Sequence, residues 1–220
     1  MNDFRRPLLR GMGRIVSDLY GTPAPVGNTA TLKSAATPSP TVPAPLPSFT
    51  QLWKTADETI DWTDILISPF PTDGLTPPDK WALYHRYAAD VLKGNIAAYL
   101  AVLQSENPMA DLMSYVSALD VTTVDADTLR ASFAVRPDLM EQDADIYLCG
   151  MALRIARDLF AALPVLMVEV KAMQADNELL AVSFTRAQMN KVRFAFIDPI
   201  KFVQICVDSR SQEDASCSVN

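Results

Sequence analysis

The chain has 220 residues, 49% of them apolar and 20% charged, with a formal net charge of −7 and a pI near 4.7. That length supports one sizeable core rather than two. The acidic balance opposes phosphate backbones and so argues against general nucleic-acid binding, and no apolar run approaches the ~20 residues of a membrane helix.

The N-terminus has no continuous apolar stretch of the kind that marks a secretory signal. In residues 2–20, Phe4, Leu8, Met12, Ile15 and Leu19 recur at spacings of three and four, which is the stripe of an amphipathic helix. Arg5, Arg6, Arg10 and Arg14 against Asp3 and Asp18 leave this segment at about +2 and the remainder at about −9. Pro7, Gly11 and Gly13 weaken it as a helix. The segment fits a frayed tail, a short partner-binding or self-associating helix, or a weak membrane-surface contact. Residues 21–48 are rich in Pro, Ala and Thr. Seven prolines from Pro23 to Pro47 remove amide donors and fix φ, so this stretch is expected to be a disordered, partly extended linker.

From residue 49 the composition changes to that of a folded domain, expected over 49–207. Leu52, Trp53, Ile60, Trp62, Ile65 and Ile67 are expected to clamp their segment against the domain behind it, with a short helix within residues 55–63. Asp73-Gly74 marks a turn. Pro78 suits a helix start, and Trp81, Tyr84, Tyr87, Ala88 and Val91 keep the helical period. A second helix begins near Asn95 and stops at Asn107-Pro108. A third, short helix carries Met109, Leu112 and Val116. Residues 118–124 and 128–135 alternate as a half-exposed hairpin around a turn at 125–127.

The central element is a long apolar helix ending at Pro164. Asp143 or Asp145 is the candidate cap. The stripe Cys149, Ala152, Leu153, Ala156, Leu159, Phe160 and Leu163 is widened by Leu148, Met151 and Ile155, so burial is expected on more than one side. Arg154 and Asp158 are spaced to pair at i,i+4. After it come a strand through Glu169 and Lys171, a turn at Asp176-Asn177 and a return strand 179–184. Thr185 then caps a short helix, Phe194, Phe196 and Ile197 are expected to close the core, and Asp198 caps a last helical turn. Residues 208–220 read as a disordered tail. The order predicts an α+β fold: a ββαββ-type, four-stranded antiparallel sheet packed on one long buried helix.

The runs ALRIARDLFAALPV, LLAVSF and RFAFIDP, with GNIAAYLAVLQSENPMADLMSY upstream, resemble the C-terminal module of uncharacterised bacterial and phage-borne proteins. The resemblance covers roughly residues 94–200. It is a pattern of core positions, so it implies a shared fold and carries no activity.

Signatures of chemistry are few. There is no GxGxxG, no Walker lysine loop and no GxSxG. Three separated cysteines (Cys149, Cys206, Cys217) and one histidine (His85) do not make a zinc site, and they fit free thiols in a reducing cytoplasm. No cofactor is expected. Asp138 with Glu169-Val170-Lys171 has the sequence shape of the PD-(D/E)xK nucleases, in which two carboxylates share Mg²⁺ and a lysine assists the attacking water. Set against it, the same Glu169 and Lys171 fit a solvated sheet face. Arg154, Arg157, Arg186 and Arg193 fit either a solvated helix face or a small basic patch for an acidic partner, and Trp81, Tyr84 and Tyr99 an aromatic ligand site or a plain core. The leading expectation is a non-enzymatic cytoplasmic interaction or assembly module that reaches a protein partner, or copies of itself, through Phe4, Leu8, Met12, Ile15 and Leu19. The metal-dependent nuclease is the alternative.

Overall fold

A computed structural model describes residues 48–71 and 76–207. The basic segment 2–20, the linker up to residue 47, Asp73-Gly74 and the tail 208–220 lie outside the described residues.

The organising element is helix α4, Pro137–Ala162. It is two helical segments joined at Asp143, whose backbone is extended (φ −163°, ψ 93°). The Asp143 carboxylate accepts the N–H of Ile146 at 3.1 Å, so it caps the second segment as the sequence predicted. From Tyr147 to Ala162 every residue but Arg157 is buried. Gly150 sits where an added Cβ would come 3.0 Å from the Trp53 ring.

One side of α4 meets a four-stranded sheet in the order β1-β2-β3-β4. The strands are β1 Ala118–Thr123, β2 Thr128–Ala134, β3 Met167–Gln174 and β4 Asn177–Thr185. Period-two alternation puts Leu129, Ala131, Phe133, Val168, Val170, Ala172, Val182 and Phe184 on the covered face, all fully buried. The fold is therefore α+β with the ββαββ order, but the sheet is mixed. β1–β2 and β3–β4 are antiparallel hairpins, whereas β2 and β3 run parallel, with Arg130 opposite Glu169 and Ser132 opposite Lys171. The cause is α4 itself: a long crossover helix returns the chain to the end of the sheet where β2 began, so β3 must repeat its direction. The β3–β4 loop turns at Ala175-Asp176, with Ala175 in the left-handed region at φ 51°.

The other sides of α4 are covered from the N-terminal direction. A 3₁₀ turn, Phe49–Lys54, presses Phe49 and Trp53 onto it, and Phe49 meets Tyr147 edge-on at 5.7 Å. Residues 55–61 form no helix, contrary to expectation. Their amides are spent on α4 instead: Asp57 N–H donates to Asp158, and Ile60 N–H to Ala161 O at 2.9 Å. The helix begins only where Asp61 caps it, as α1, Trp62–Ile67. Trp62 donates its indole N–H to Ala162 O at 2.9 Å.

Helices α2, Pro78–Leu92, and α3, Ile96–Glu106, come next, and α3 ends on a left-handed Asn107 (φ 44°). A 3₁₀ turn, Ala110–Ser114, leads to β1. After β4, Thr185 makes a capping box with Gln188 at the start of α5, Arg186–Met189. Helix α6 spans 199–207 and stacks Phe202 on Phe184. Of the three aromatic and aliphatic closers expected before it, Phe194 and Ile197 pack on the core. Phe196 does not: it is 84% exposed, turned out by the tight turn in which its N–H donates to Arg193 O. Among the described residues no helix is long and apolar enough to cross a membrane.

Candidate functional site

A helix buried on all sides has to place its polar groups somewhere, and α4 carries Arg154, Arg157 and Asp158 within five positions. Arg154 and Asp158 are not the solvated pair that their spacing suggests, since they are 5% and 0% exposed. Arg154 donates from Nε to Asp158 (2.7 Å), from Nη1 to Thr55 Oγ1 (2.8 Å) and from Nη2 to Asp111 (3.0 Å). Asp158 also accepts the Asp57 amide at 3.0 Å. Burial pushes the Asp158 carboxyl up to about 6, against the pull of the Asp57 amide and Arg154. Burial works against the Arg154 charge as well, but Asp158, Asp111 and Asp57 more than offset it and hold the guanidinium cationic. This knot fixes residues 55–61 as a strap across α4.

The strap forms one wall of an open cleft of about 810 Å³. α1 adds Asp64 and Ile65, α2 adds Lys80, Trp81 and Tyr84, the end of α3 adds Glu106, and the turn after it adds Asp111. Six carboxylates border this space: Asp57, Glu58, Asp61, Asp64, Glu106 and Asp111. Lys80, the one cationic side chain among its described lining residues, is paired with Glu106 at 2.6 Å and lies 5.5 Å from the centre of the Tyr84 ring. Burial and the neighbouring Glu106 raise the Tyr84 phenol far above its ordinary range, so it stays neutral and donates to Glu106. Partial burial raises Asp57 as well. The carboxylates are dispersed, and among the described residues no group of three or more His, Cys, Asp or Glu is placed to hold a metal ion. The cleft's chemistry is that of a negative field over an aromatic floor, suited to an organic cation.

Of the residues singled out from sequence, Trp81 and Tyr84 line this cleft. Tyr99 does not; its hydroxyl donates to Ala126 O at 3.1 Å. His85 is exposed on α2. Asp138, Glu169 and Lys171 occupy three separate ion pairs. Asp138 pairs with Arg136 at 2.6 Å, Glu169 with Arg130 at 2.7 Å across the parallel pair, and Lys171 with Glu178 at 2.5 Å on β4. Glu169 lies level with Arg130, and pairing of β2 with β3 continues to Val135, whose N–H donates to Met173 O. Asp138 lies beyond that end, with roughly 13 Å of strand between Ala134 and the level of Glu169. The structure therefore does not bring these three together. The four arginines do not form one patch either: Arg154 faces the acidic side, while Arg157 and Arg186 share a different hollow. Sequence reasoning missed the acidic cleft, although four acids, Asp57, Glu58, Asp61 and Asp64, stand within eight positions.

No protein-family model, curated protein or solved structure matches the chain. The resemblance over residues 94–200 rests on its core pattern alone.

Proposed function

We propose that the protein is a binding module whose acidic cleft receives the basic side chains of a partner protein. The observation that carries this reading is the six carboxylates among the described residues bordering about 810 Å³, of which Glu106 holds Lys80 and Asp111 holds Arg154. A lysine or arginine entering there lays its methylenes along Ile60, Ile65 and Trp81 and its charge among the acids. The rigid wall supports specificity, because the N–H groups of Asp57 and Ile60 donate to a buried helix, at the Asp158 carboxylate and at Ala161 O. Residues 2–20, known here from sequence alone, supply a second contact through Phe4, Leu8, Met12, Ile15 and Leu19, tethered by the linker. In this reading the protein is an interaction or assembly component and its work is done without catalysis.

The test is titration of an arginine- and lysine-rich peptide into the full chain, beside a glutamate-rich control. Binding of the basic peptide that weakens with salt, and weakens about tenfold on Glu58→Lys, is expected. Equal behaviour of the two peptides, or indifference to Glu58→Lys, refutes the reading. Removing residues 1–47 is expected to leave cleft binding intact and to abolish any self-association; loss of cleft binding in that truncation counts against the assignment.

A further inference from the structure

The strap has a second side. Across it from the acidic cleft is a hollow of about 160 Å³ whose lining includes Arg157, Arg186, Asn190 and Thr59, with the rings of Phe160 and Phe194. Neither arginine has a carboxylate partner among the described residues. Arg157 uses Nη1 on Trp53 O and Thr55 O, and its guanidinium lies 4.1 Å from the Phe194 ring centroid. Arg186 uses Nε on Val165 O and Nη2 on Phe160 O and Leu163 O, with its guanidinium 5.0 Å from the Phe160 ring. No hydrogen bond among the described residues takes Nε or Nη2 of Arg157, or Nη1 of Arg186. Burial pulls both guanidiniums below their ordinary range. The nearby carboxylates do little to offset this. Asp158 acts on Arg157 but is already bonded to Arg154, and Asp57, on the rim of the hollow, responds to Arg154 and Lys80.

Two half-buried guanidiniums line one small concavity, each with donors that no described protein atom takes and that stay open to solvent, an arrangement that an anion can complete. We infer that this hollow is a binding site for a small oxyanion, held by the spare N–H groups of Arg157 and Arg186. Guanidinium forks match the spacing of carboxylate and phosphate oxygens. The hollow admits one such group and no extended chain. Cation–π contacts with Phe194 (4.1 Å) and Phe160 (5.0 Å) limit the movement of the Arg157 and Arg186 guanidiniums before the ligand arrives. The strap is then read from both sides, with cations on one and an anion on the other, and Asp57 stands between them.

The test is an amide and arginine Nε–Hε NMR titration of the full chain with inorganic phosphate, with acetate and with chloride at matched ionic strength. Saturable shifts at Arg157, Arg186 and Asn190 are expected. If phosphate alone saturates the site, the ligand class is a tetrahedral oxyanion; if acetate does so too, it includes carboxylates. Asn190→Asp sets a competing carboxylate on the exposed rim and is expected to weaken binding about tenfold or more. Asp57→Asn removes a repelling charge and is expected to tighten it severalfold, while weakening the basic peptide in the opposite cleft. Chloride producing the same shifts, no saturable shift from either oxyanion, or an affinity unmoved by Asn190→Asp overturns the inference. Should Asn190→Asp not fold, Asp57→Asn decides, and an unchanged affinity there overturns it equally.

Discussion

Replacing Arg154 by methionine keeps most of the side-chain bulk but strands Asp158, which is fully buried and then retains only the Asp57 amide as a donor. Removing one partner of a buried pair costs about 3–5 kcal/mol, because the remaining charge is left uncompensated. Asp158 has an escape, which is to take up a proton. Holding a carboxyl neutral against an unfolded value near 3.8 costs about 6 kcal/mol at pH 8 but only about 2 kcal/mol at pH 5. The sign comes from proton counts. In the wild type the folded carboxyl sits at about 6, so between pH 4 and 6 the native state holds more protons than the unfolded state, and stability falls as pH rises through that window. In Arg154→Met the folded value lies higher still, and the same fall extends to higher pH. The penalty of the substitution should therefore shrink by about 2 kcal/mol between pH 8 and pH 5. Urea unfolding of both proteins at the two pH values measures it. Equal penalties at pH 5 and pH 8, or a loss below about 1 kcal/mol at pH 8, would show that Asp158 is not the stranded charge.

Local geometry sets three other outcomes. Gly94 has φ +74° and an added Cβ would lie 2.7 Å from the Ala126 Cβ, so Gly94→Ala should cost about 1–3 kcal/mol in chemical unfolding. Adding Ala126→Gly should recover the contact part and leave the backbone part. Ala175 occupies the left-handed region in a two-residue hairpin loop, so Ala175→Gly should raise stability by about 0.5–1 kcal/mol; a loss instead would mean that this backbone is not as described. Burial pushes the thiols of Cys149 and Cys206 up to about 11, so peptide mapping after brief alkylation at pH 7 should find both unlabelled until denaturant is added.

The fold was legible where periodicity and punctuation agree. The breadth of the apolar stripe on α4 announced a helix covered on several sides, and the ββαββ order came from alternation in the strands and the turns between them. Parallel pairing of β2 and β3 was not visible in either strand alone, because direction is set by the crossover and leaves no mark on alternation. Arg154 and Asp158 pair as their i,i+4 spacing suggests, but spacing is the same on an exposed face as in a buried one and so does not show their burial. Their burial comes from the strap, a segment whose own sequence is polar and whose order depends on α4. The cleft was partly visible in Trp81 and Tyr84. Four of its acids lie where a short helix is expected within residues 55–63 and just beyond it, whereas the helix begins only after the Asp61 cap. At Glu169-Val170-Lys171 the alternative expectation of a charged sheet face holds: each charge answers a neighbour on an adjacent strand.

The parallel contact between β2 and β3 also governs the order in which the chain can assemble. Each hairpin closes a short loop and gains its ladder with little loss of chain entropy. The central ladder joins Thr128 to Met167, thirty-nine residues apart, and the 26 residues of α4 make up most of the chain between the two strands. Two separate ribbons can therefore form early, but they become one sheet only once the intervening helix has folded and docked. The rate of that last joining is set by α4, including the break at Asp143, more than by the strands that meet. A chain caught before it would expose the inner edges of both β2 and β3, the positions at which strands of different molecules pair.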